Sequence, residues 1–303
     1  MRYFIAIPTY NGGRLWKTSV DHIKKYCPAE IYVQVIDSSS QDDTVKVARQ
    51  SGFDVTIIAS KDFNHGGTRN MAIERHIDDY DIAIFLTQDA IPEAGFIEKM
   101  VSVFSDTKVA CAYGRQLPHD DANPIARHAR YFNYPDKGHV CVFSDSPKLG
   151  IKTVFMSNSF SAYRISVFKE LGGFPSNTIL CEDMFFTAKA ILAGYKVAYV
   201  ADAVVKHSHN YNPLDEFKRY FDIGVFHTHE RWIREKFGGA GGEGKKFIIS
   251  ELCYLFRHGI QYIPLAFLNN LMKFSGYKLG QIYNTLPRSL VVFFSMHKRF
   301  WKK

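Results

Sequence analysis

The chain has 303 residues, of which 46% are hydrophobic and 22% are charged. This length and composition suit one large α/β domain with an appendage, and they exclude a disordered or fibrous protein. None of the five cysteines belongs to a CxxC pair, which argues against a disulfide framework or a cysteine-based zinc site. No stretch reaches the roughly 18 apolar residues of a membrane-spanning helix. The first residues contain no recognisable secretory signal. From these two features together we expect a protein that does not span a membrane.

The net charge of +8 is concentrated in one part of the chain. Residues 245–303 hold ten lysines and arginines against a single acid, Glu251. The preceding 244 residues hold 28 basic and 29 acidic residues. The sequence therefore predicts a nearly neutral body followed by a basic module.

Short apolar runs alternate with amphipathic stretches over the first part of the chain. The predicted strands cover residues 3–7, 31–36, 55–58, 82–86 and 109–113. The predicted helices between them cover residues 15–26, 44–51, 68–77 and 96–104. This alternation predicts an α/β fold with a mostly parallel sheet covered by helices on both faces. Ligands of such sheets bind beyond the carboxyl ends of the strands, and here polar segments follow the strands.

The rhythm changes after residue 114. Residues 115–150 contain four prolines and predict a loop over an acceptor. Helices are predicted at 165–171, 182–193 and 213–237, and a strand at 196–205. The predicted domains are a catalytic domain (1–237), a glycine-rich joint (238–244) and a basic amphipathic helical module (245–303). The catalytic domain divides where the rhythm changes, into residues 1–114 and residues 115–237.

The first two polar segments are candidates for a nucleotide pocket. Asp37 ends the second predicted strand and could accept a hydrogen bond from a base or ribose, with residues 8–11 as the facing wall. The alternative is that Asp37 and residues 38–40 only form a turn that caps the next helix.

The segment FNHGGTRN, residues 63–70, begins a predicted helix with two glycines. Bare backbone N–H groups at a helix start bind anions, and Arg69 could add a fork for phosphate. The alternative is an ordinary capped loop.

Acids and histidines follow the remaining strands. Asp89 ends a central strand, where a hard cation would need a carboxylate oxygen, although it could simply cap a helix. Glu182 and Asp183 begin an otherwise apolar helix, which satisfies the helix dipole but also suits a desolvated general base. His207 and His209 end the strand 196–205, and one of them could share a metal with Asp89.

The motifs IPTYN, VIDSSSQDDT, FNHGGTRN, LTQDA, NSFSAYR and CEDMFFTAKAILAG occur in this order. Together they resemble glycosyltransferase family 2, the inverting enzymes with the GT-A fold, over roughly residues 3–235. The FNHGGTRN and LTQDA segments are similar to those of bacterial rhamnosyltransferases that use dTDP-L-rhamnose.

The resemblance implies a nucleotide-sugar-binding half (1–114), an acceptor and catalytic half (115–237), and a role for each matching residue. Asp183 matches the general base, and Asp89 matches the last acid of a DxD-type metal motif whose first acid is replaced here by Thr87. His207 matches the histidine near the metal, with His209 as the alternative, and the implied cofactor is Mg²⁺ or Mn²⁺. The residues matched to substrate binding are Pro8, Tyr10, Asn11, Asp37, Ser39, Asn64, Arg69, Gln88 and Glu182.

The implied reaction is transfer of L-rhamnose from dTDP-β-L-rhamnose to a hydroxyl of a polyprenyl-diphosphate-linked glycan in cell-surface polysaccharide (O-antigen) assembly. Three alternatives stay open: a UDP-hexose donor, a nucleotidyltransferase and a basic-tailed nucleic-acid-binding protein. We expect no nucleic-acid partner, because the basic segment lacks zinc-finger, basic-zipper and RNP patterns.

Apolar residues of the basic module fall at helical spacing. They are residues 248, 252, 255, 256, 260 and 263, then 267, 268, 271 and 274, then a patch at 290, 291, 293 and 294. Basic residues accompany them: Lys245, Lys246, Arg257, Lys273, Arg288, Lys298 and Arg299. This pattern predicts a peripheral protein on the anionic cytoplasmic face of the inner or plasma membrane. The alternative is that these helices pack on the body or form a homodimer interface.

Overall fold

A computed structural model describes residues 1–239 and 242–302. Within them, one mixed sheet of nine strands forms the centre. The strands are β1 (Tyr3–Thr9), β2 (Val33–Asp37), β3 (Asp54–Ile57), β4 (Ile82–Leu86), β5 (Ile91–Pro92), β6 (Val109–Leu117), β7 (His139–Cys141), β8 (Phe160–Arg164) and β9 (Lys196–Lys206). The glycine-rich joint predicted over 238–244 includes residues 240 and 241, which lie outside the described residues, as does residue 303 of the basic module.

Helices surround the sheet and continue beyond it. In the body they are α1 (Gly13–Tyr26), α2 (Thr44–Gln50), α3 (His65–Glu74), α4 (Phe96–Ser102), α5 (Pro124–Asn133), α6 (Ser146–Leu149), α7 (Ile165–Glu170), α8 (Glu182–Leu192), α9 (Pro213–His229) and α10 (Arg231–Phe237). In the basic module, which we call the tail, they are α11 (Glu243–His258), α12 (Ile263–Gln281) and α13 (Arg288–Phe294).

The strand order brings the polar segments to one edge. The sheet runs β3-β2-β1-β4-β8-β6-β9-β5, and β7 pairs with β9. Strands β1 to β4 are mutually parallel, and β8 is antiparallel to both β4 and β6. Because β6 and β9 are parallel to each other, β1, β2, β4, β6 and β9 all point the same way. The segments that follow β1, β2, β4 and β9 therefore meet at one edge.

Both faces of the sheet are covered, as predicted. All five residues of β4 are buried, since its two faces carry separate clusters. On one face α1 contributes Trp16 and Val20, and on the other α8 contributes Phe186 and Ile191. Buried parallel strands read as continuous apolar runs rather than alternating ones, which is why the sequence predicted them well.

Two of the predicted elements were wrong. Residues 115–150 are not a loop throughout, because β6 continues to Leu117 and α5 and β7 follow. Asn123 accepts a hydrogen bond from the Ala126 N–H (2.9 Å) and Pro124 occupies the first turn of α5, which is a normal helix start. The single helix predicted over 213–237 is divided at Glu230, whose backbone (φ −104°, ψ 50°) is not helical.

The tail is docked on the body through glycines. A Cβ atom added to Gly276 would lie 2.2 Å from the carbonyl oxygen of Phe217, and one on Gly280 would lie 2.0 Å from that of Phe221. On the other helix, a Cβ on Gly224 would lie 2.4 Å from the carbonyl oxygen of Tyr277. Helices α9 and α12 therefore touch backbone to backbone, at a distance that side chains would not permit.

The predicted apolar stripe of the tail is divided between two surfaces. Leu255 and Val291 are buried, and Leu255 packs in a small cluster with Ile125 of α5. In contrast, Phe267 is 72% exposed and Phe274 is 61% exposed. The tail thus packs on the body with one face and presents large apolar side chains on another.

Two further findings concern the tail and a membrane. No described helix has the length and apolarity to cross a bilayer. Lys273 was predicted to face lipid, and this was wrong: its side chain is only 13% exposed, and its Nζ lies 3.1 Å from Glu216 Oε1. Packing of α12 on α9 turns this lysine inward.

Candidate active site

One cavity of about 990 Å³ opens at the carboxyl edge of the sheet. The predicted site residues on its surface are Pro8, Tyr10, Asn64, Arg69, Gln88, Asp89, Glu182, Asp183, His207 and His209. Three predicted residues, Asn11, Asp37 and Ser39, are not part of this lining. The sheet edge therefore gathers into one space the segments that follow four strands.

Asp183 is held at the start of α8 with one face open to the cavity. Cys181, the residue before α8, has a left-handed backbone (φ 59°), an uncommon conformation for a residue with a side chain. The Asp183 carboxylate accepts hydrogen bonds from the N–H groups of Asn158 (3.0 Å) and Met184 (2.8 Å). Burial and the adjacent Glu182 carboxylate outweigh these bonds and raise the pKa of Asp183 to about 7.

Glu182 is the buried anion beside it. Its Oε1 lies 3.1 Å from Arg69 Nη1 and accepts a hydrogen bond from Asn158 Nδ2 (2.8 Å). Burial opposes ionisation, but the charges of Arg69 and His65 hold the pKa of Glu182 below its usual value. Asn158 thus contacts both acids, and the sequence analysis did not assign it a role. The NSFSAYR motif was the signal that contained it.

Arg69 does not present an open fork at the start of α3. Its Nη1 pairs with Glu182 and also donates to the His65 carbonyl (3.0 Å). The glycines of this loop also have packing roles, because a Cβ on Gly66 would lie 2.1 Å from the Pro175 carbonyl oxygen. Asn64 caps the helix by accepting from the Gly67 N–H (2.7 Å).

Asp89, His207 and His209 form a cluster with metal-ligand chemistry. Their ligand atoms all lie within 4.8 Å of one another. The Asp89 Oδ2 is 3.4 Å from His207 Nε2 and 3.6 Å from His209 Nε2. Burial alone would raise the pKa of Asp89, but the two histidines outweigh it and hold that pKa far below its usual value. Burial, with His207, lowers the pKa of His209 to about 3, so its ring is neutral.

Gln116 fixes the orientation of His207, and the sequence analysis missed it. His207 Nδ1 is 2.8 Å from Gln116 Oε1, which also accepts from Arg130 Nη1 (2.8 Å). An amide oxygen only accepts, so Nδ1 carries a proton, and Nε2 is the ring nitrogen that faces Asp89. Gln116 lies beyond the predicted strand 109–113, and its burial is visible only in the structure, so the sequence offered no signal for it.

The other end of the cavity is formed by the β1 loop. Gln88 Oε1 accepts from the Tyr10 N–H (2.8 Å), and Gln88 Nε2 donates to the Tyr10 carbonyl (3.1 Å). This pair fixes the loop next to Asp89 and leaves the Tyr10 side chain 42% exposed. Pro8 and Ser38 complete this wall.

Asp37, Ser39 and Asn11 belong to the same segments but do not line the cavity. Asp37 is fully buried and accepts from Thr9 Oγ1 (2.9 Å) and from the Ser40 N–H (2.8 Å). Ser39 donates to the Ile58 carbonyl (2.8 Å), and Asn11 Oδ1 accepts from the Gln41 N–H (2.8 Å). In this structure all three shape the loops that carry Tyr10 and Ser38.

The tail supplies part of the same cavity. Residues 296–300 line it, together with Asn269 and Lys273 of α12. The sequence analysis assigned this basic segment to a membrane surface, because charge composition does not show which way a segment folds back.

Known proteins resemble this chain in sequence and in fold. The family described as "Glycosyltransferase like family 2" matches residues 2–234. The chain belongs to this family. It is a glycosyltransferase, and the fold class predicted from the sequence, α/β of the GT-A type, is confirmed.

Two relatives match this glycosyltransferase over nearly its whole length. "O-antigen chain rhamnosyltransferase RfbN" of Salmonella typhimurium is 54% identical over 303 residues, which cover 99% of this chain and 96% of the relative. "O-antigen chain rhamnosyltransferase WbaN" of Salmonella anatum is 50% identical over 301 residues, with 99% and 95% covered.

Solved structures share the fold at low identity. The mannosyltransferase PcManGT from Pyrobaculum calidifontis, in complex with GDP-Man and Mn²⁺, has a TM-score of 0.64 at 15% identity and covers 94% of this chain and 88% of its own. Residues 1–349 of S. aureus TarS give a TM-score of 0.55 at 15% identity, with 94% and 91% covered.

Proposed function

We propose that this glycosyltransferase transfers L-rhamnose from dTDP-β-L-rhamnose to a hydroxyl of a polyprenyl-diphosphate-linked glycan during O-antigen assembly. The observation that carries the reaction type is one cavity that contains both Asp183, with a raised pKa, and the Asp89–His207–His209 cluster. The choice of sugar is supported by the two Salmonella relatives, whose names are O-antigen chain rhamnosyltransferases.

Asp183 is the general base of the proposed mechanism. The acceptor hydroxyl attacks the anomeric carbon on the face opposite the nucleotide, and Asp183 takes its proton as the new C–O bond forms. The bond from that carbon to the diphosphate oxygen breaks in the same displacement, so a β-linked donor gives an α-rhamnoside. A carboxylate with a pKa of about 7 is partly ionised at neutral pH and is basic enough to accept this proton.

The Asp89–His207–His209 cluster fits a divalent cation. It offers one carboxylate oxygen and two imidazole Nε2 atoms, and Gln116 fixes the tautomer of His207. When bound, the cation supplies charge neutralisation for the departing diphosphate. Two nitrogen ligands favour Mn²⁺ over Mg²⁺, which prefers oxygen. The complex of PcManGT with Mn²⁺ supports the same choice.

The β1 loop is the proposed nucleotide wall. Tyr10, Pro8 and Ser38 face the cavity beside Asp89, where a nucleoside attached to the diphosphate would lie. Asp37 stays a prediction as a base contact. Since its oxygens already accept from Thr9 and Ser40, a base would have to share or replace one of these bonds.

The proposal extends to a membrane site for the enzyme. The exposed apolar side chains of the tail include Ile249, Phe256, Ile260, Phe267, Leu268, Leu271, Phe274 and Phe293. Exposed Lys245, Lys246 and Arg257 accompany them. An apolar surface beside basic residues binds anionic lipid, and a polyprenyl-linked acceptor would be presented there. We place this surface on the cytoplasmic face of the inner membrane.

A panel of nucleotide sugars tests the donor. We expect dTDP-β-L-rhamnose with Mn²⁺ to raise the melting temperature and to be turned over to dTDP, while UDP-glucose and UDP-galactose do neither. Turnover of a UDP-hexose instead would contradict the proposed sugar. Release of pyrophosphate would indicate a nucleotidyltransferase.

Flotation with anionic liposomes tests the membrane surface. We expect the wild type to float at low salt and the double variant Phe267→Ser/Phe274→Ser to stay in solution. Leu192→Ser, which removes an exposed apolar side chain of the body, is the matched control and floats like the wild type. Equal flotation of the double variant and the wild type would refute the surface.

A further inference from the structure

Residues 295–300, which we call the strap, cross the nucleotide end of the cavity. Asp222 of α9 is fully buried and accepts hydrogen bonds from the N–H groups of Met296 (2.9 Å) and His297 (3.0 Å). The His297 ring packs edge-on against His65, with centroids 4.7 Å apart. The body therefore sets the position of the strap backbone through a buried carboxylate and an aromatic contact.

Two cations of the strap lie at the proposed nucleotide wall. Arg299 Nη1 donates to the carbonyl oxygen (3.0 Å) and Oγ (2.7 Å) of Ser60, and its guanidinium lies 5.4 Å from the centroid of the Tyr10 ring. Lys298 precedes it and also lines the cavity. Among the described residues, neither cation forms an ion pair with a carboxylate.

The unpaired positive charges of Arg299 and Lys298 suit the binding of a diphosphate. The Tyr10 backbone is hydrogen-bonded to the side chain of Gln88, the residue before Asp89. Arg299, which packs on the Tyr10 ring, therefore lies over the loop that adjoins the proposed metal cluster. A nucleoside diphosphate bound between Tyr10 and that cluster would bring its phosphate oxygens to this side of the cavity. A guanidinium binds phosphate through two parallel N–H bonds, and a lysine adds a compact charge.

We propose that the strap is a wall of the donor site in which Arg299 and Lys298 bind the diphosphate of the nucleotide sugar. Asp222 is a positioning residue that holds the strap in place. This inference rests on the proposed nucleotide-sugar donor. It gives the end of the tail a role in substrate binding that is separate from any contact with lipid.

Calorimetric titration of the full-length chain tests the contact. The probes are dTDP, inorganic pyrophosphate and thymidine, each with Mn²⁺. We expect Arg299→Ala to weaken the binding of dTDP and of pyrophosphate about tenfold, because a charge-assisted hydrogen bond is lost. The affinity for thymidine should change by no more than about twofold. Arg299→Lys regains part of the affinity. The matched control is Lys278→Ala, another exposed tail cation that does not line the cavity and that leaves all three affinities unchanged.

Asp222→Ala tests the positioning role. It should weaken dTDP binding about as much as Arg299→Ala does. The double variant should bind dTDP little more weakly than either single variant, because both changes remove the same contact. Unchanged dTDP affinity in Arg299→Ala overturns the proposal. An equal loss for thymidine also overturns it, since Arg299 would then act only by packing on Tyr10.

Nucleotide binding by the wild-type protein distinguishes failure of the strap proposal from failure of the proposed donor. If it binds UDP and not dTDP, the dTDP donor is wrong, and the comparison of UDP with uridine decides the role of the strap in the same way. If it binds neither nucleotide nor pyrophosphate, the donor site itself is wrong and the strap proposal falls with it.

Discussion

The body and the tail are held in place by different kinds of contact. In the body, β4 is buried along its whole length, and the largest fully buried side chains include Trp16 and Phe85. In the tail, the face of α12 that meets α9 includes Gly276 and Gly280, while Phe267 points outward. The body is therefore stabilised by apolar burial, whereas the tail combines close backbone approach with a few buried apolar side chains, such as Leu255 and Val291, and keeps other large apolar side chains on a second surface.

The proposed catalytic residues all lie in the body, so the largest effect is expected there. Asp183→Asn should lower kcat on the order of 10²–10⁴-fold, because the proposed general base is lost. Single-turnover kinetics measure this, and affinity for dTDP should stay within about twofold.

Stability separates this role from that of a simple helix cap. The folded-state pKa of about 7 lies above the usual value of 3.8, so this carboxyl reduces the free energy of unfolding as pH rises from about 4 to about 7. Asp183→Asn removes that loss and should melt no lower than the wild type at pH 8. A lower melting temperature with near-normal turnover would identify a cap.

The second prediction concerns metal binding by the Asp89–His207–His209 cluster at the sheet edge. Gln116→Leu should weaken Mn²⁺ binding about 10–100-fold, because His207 loses the acceptor that fixes its tautomer. Mn²⁺ titration followed by electron paramagnetic resonance measures this. Gln34→Leu is the matched control, since Gln34 is equally buried in β2 but its side-chain amide has no hydrogen-bond partner among the described residues. Equal losses in both variants would mean that a buried glutamine matters only for folding.

The third prediction concerns the ionisation of Asp183. Because Asp183 must be ionised to act as a base, kcat should fall about tenfold per pH unit below a midpoint near 7. The pH profile of kcat with saturating donor and Mn²⁺ measures this. A profile that stays flat down to pH 5 would contradict the raised pKa.

The smallest effect tests the docking of the tail. Gly280→Ala would place a methyl group against the Phe221 carbonyl, and overpacking of this kind costs about 1–3 kcal/mol of unfolding free energy. Gly244→Ala is the control: its Cβ would meet nothing within 4 Å, so no loss is expected. Chemical denaturation measures both. If the two variants are equally stable, α9 and α12 do not meet as closely as described.

The sequence predicted the sheet because buried parallel strands are short apolar runs, as at 82–86, and their polar ends locate the site. It missed the helix break at Glu230 because a single non-helical residue between amphipathic segments leaves no pattern of its own. It missed the inward turn of Lys273, since that depends on the glycines of α9 and α12 and not on the spacing of charges.

Within the site, residues next to strand ends could be predicted and residues that support them could not. Asp89, His207 and Asp183 stand in recognisable motifs, whereas Gln116 and Asn158 act through hydrogen bonds to those residues. Arg69 was predicted with an open fork, yet it pairs with Glu182 because the turn before α8 brings that acid to it. Such pairings depend on three-dimensional proximity, which residue types alone do not give.

The hydrogen bonds between Arg299 and Ser60 join residues that are 239 positions apart. At about 5–20 residues per second, a ribosome needs on the order of 10–50 s to synthesise the intervening chain. Strand β9 ends at Lys206 and His209 follows it, so only for the last 90 of these positions (299 − 209), about 5–20 s, do the whole sheet and the acids at its edge exist while the cavity lacks the wall that residues 296–300 supply. The nascent protein therefore carries its proposed catalytic groups before it has a closed place for the proposed nucleotide.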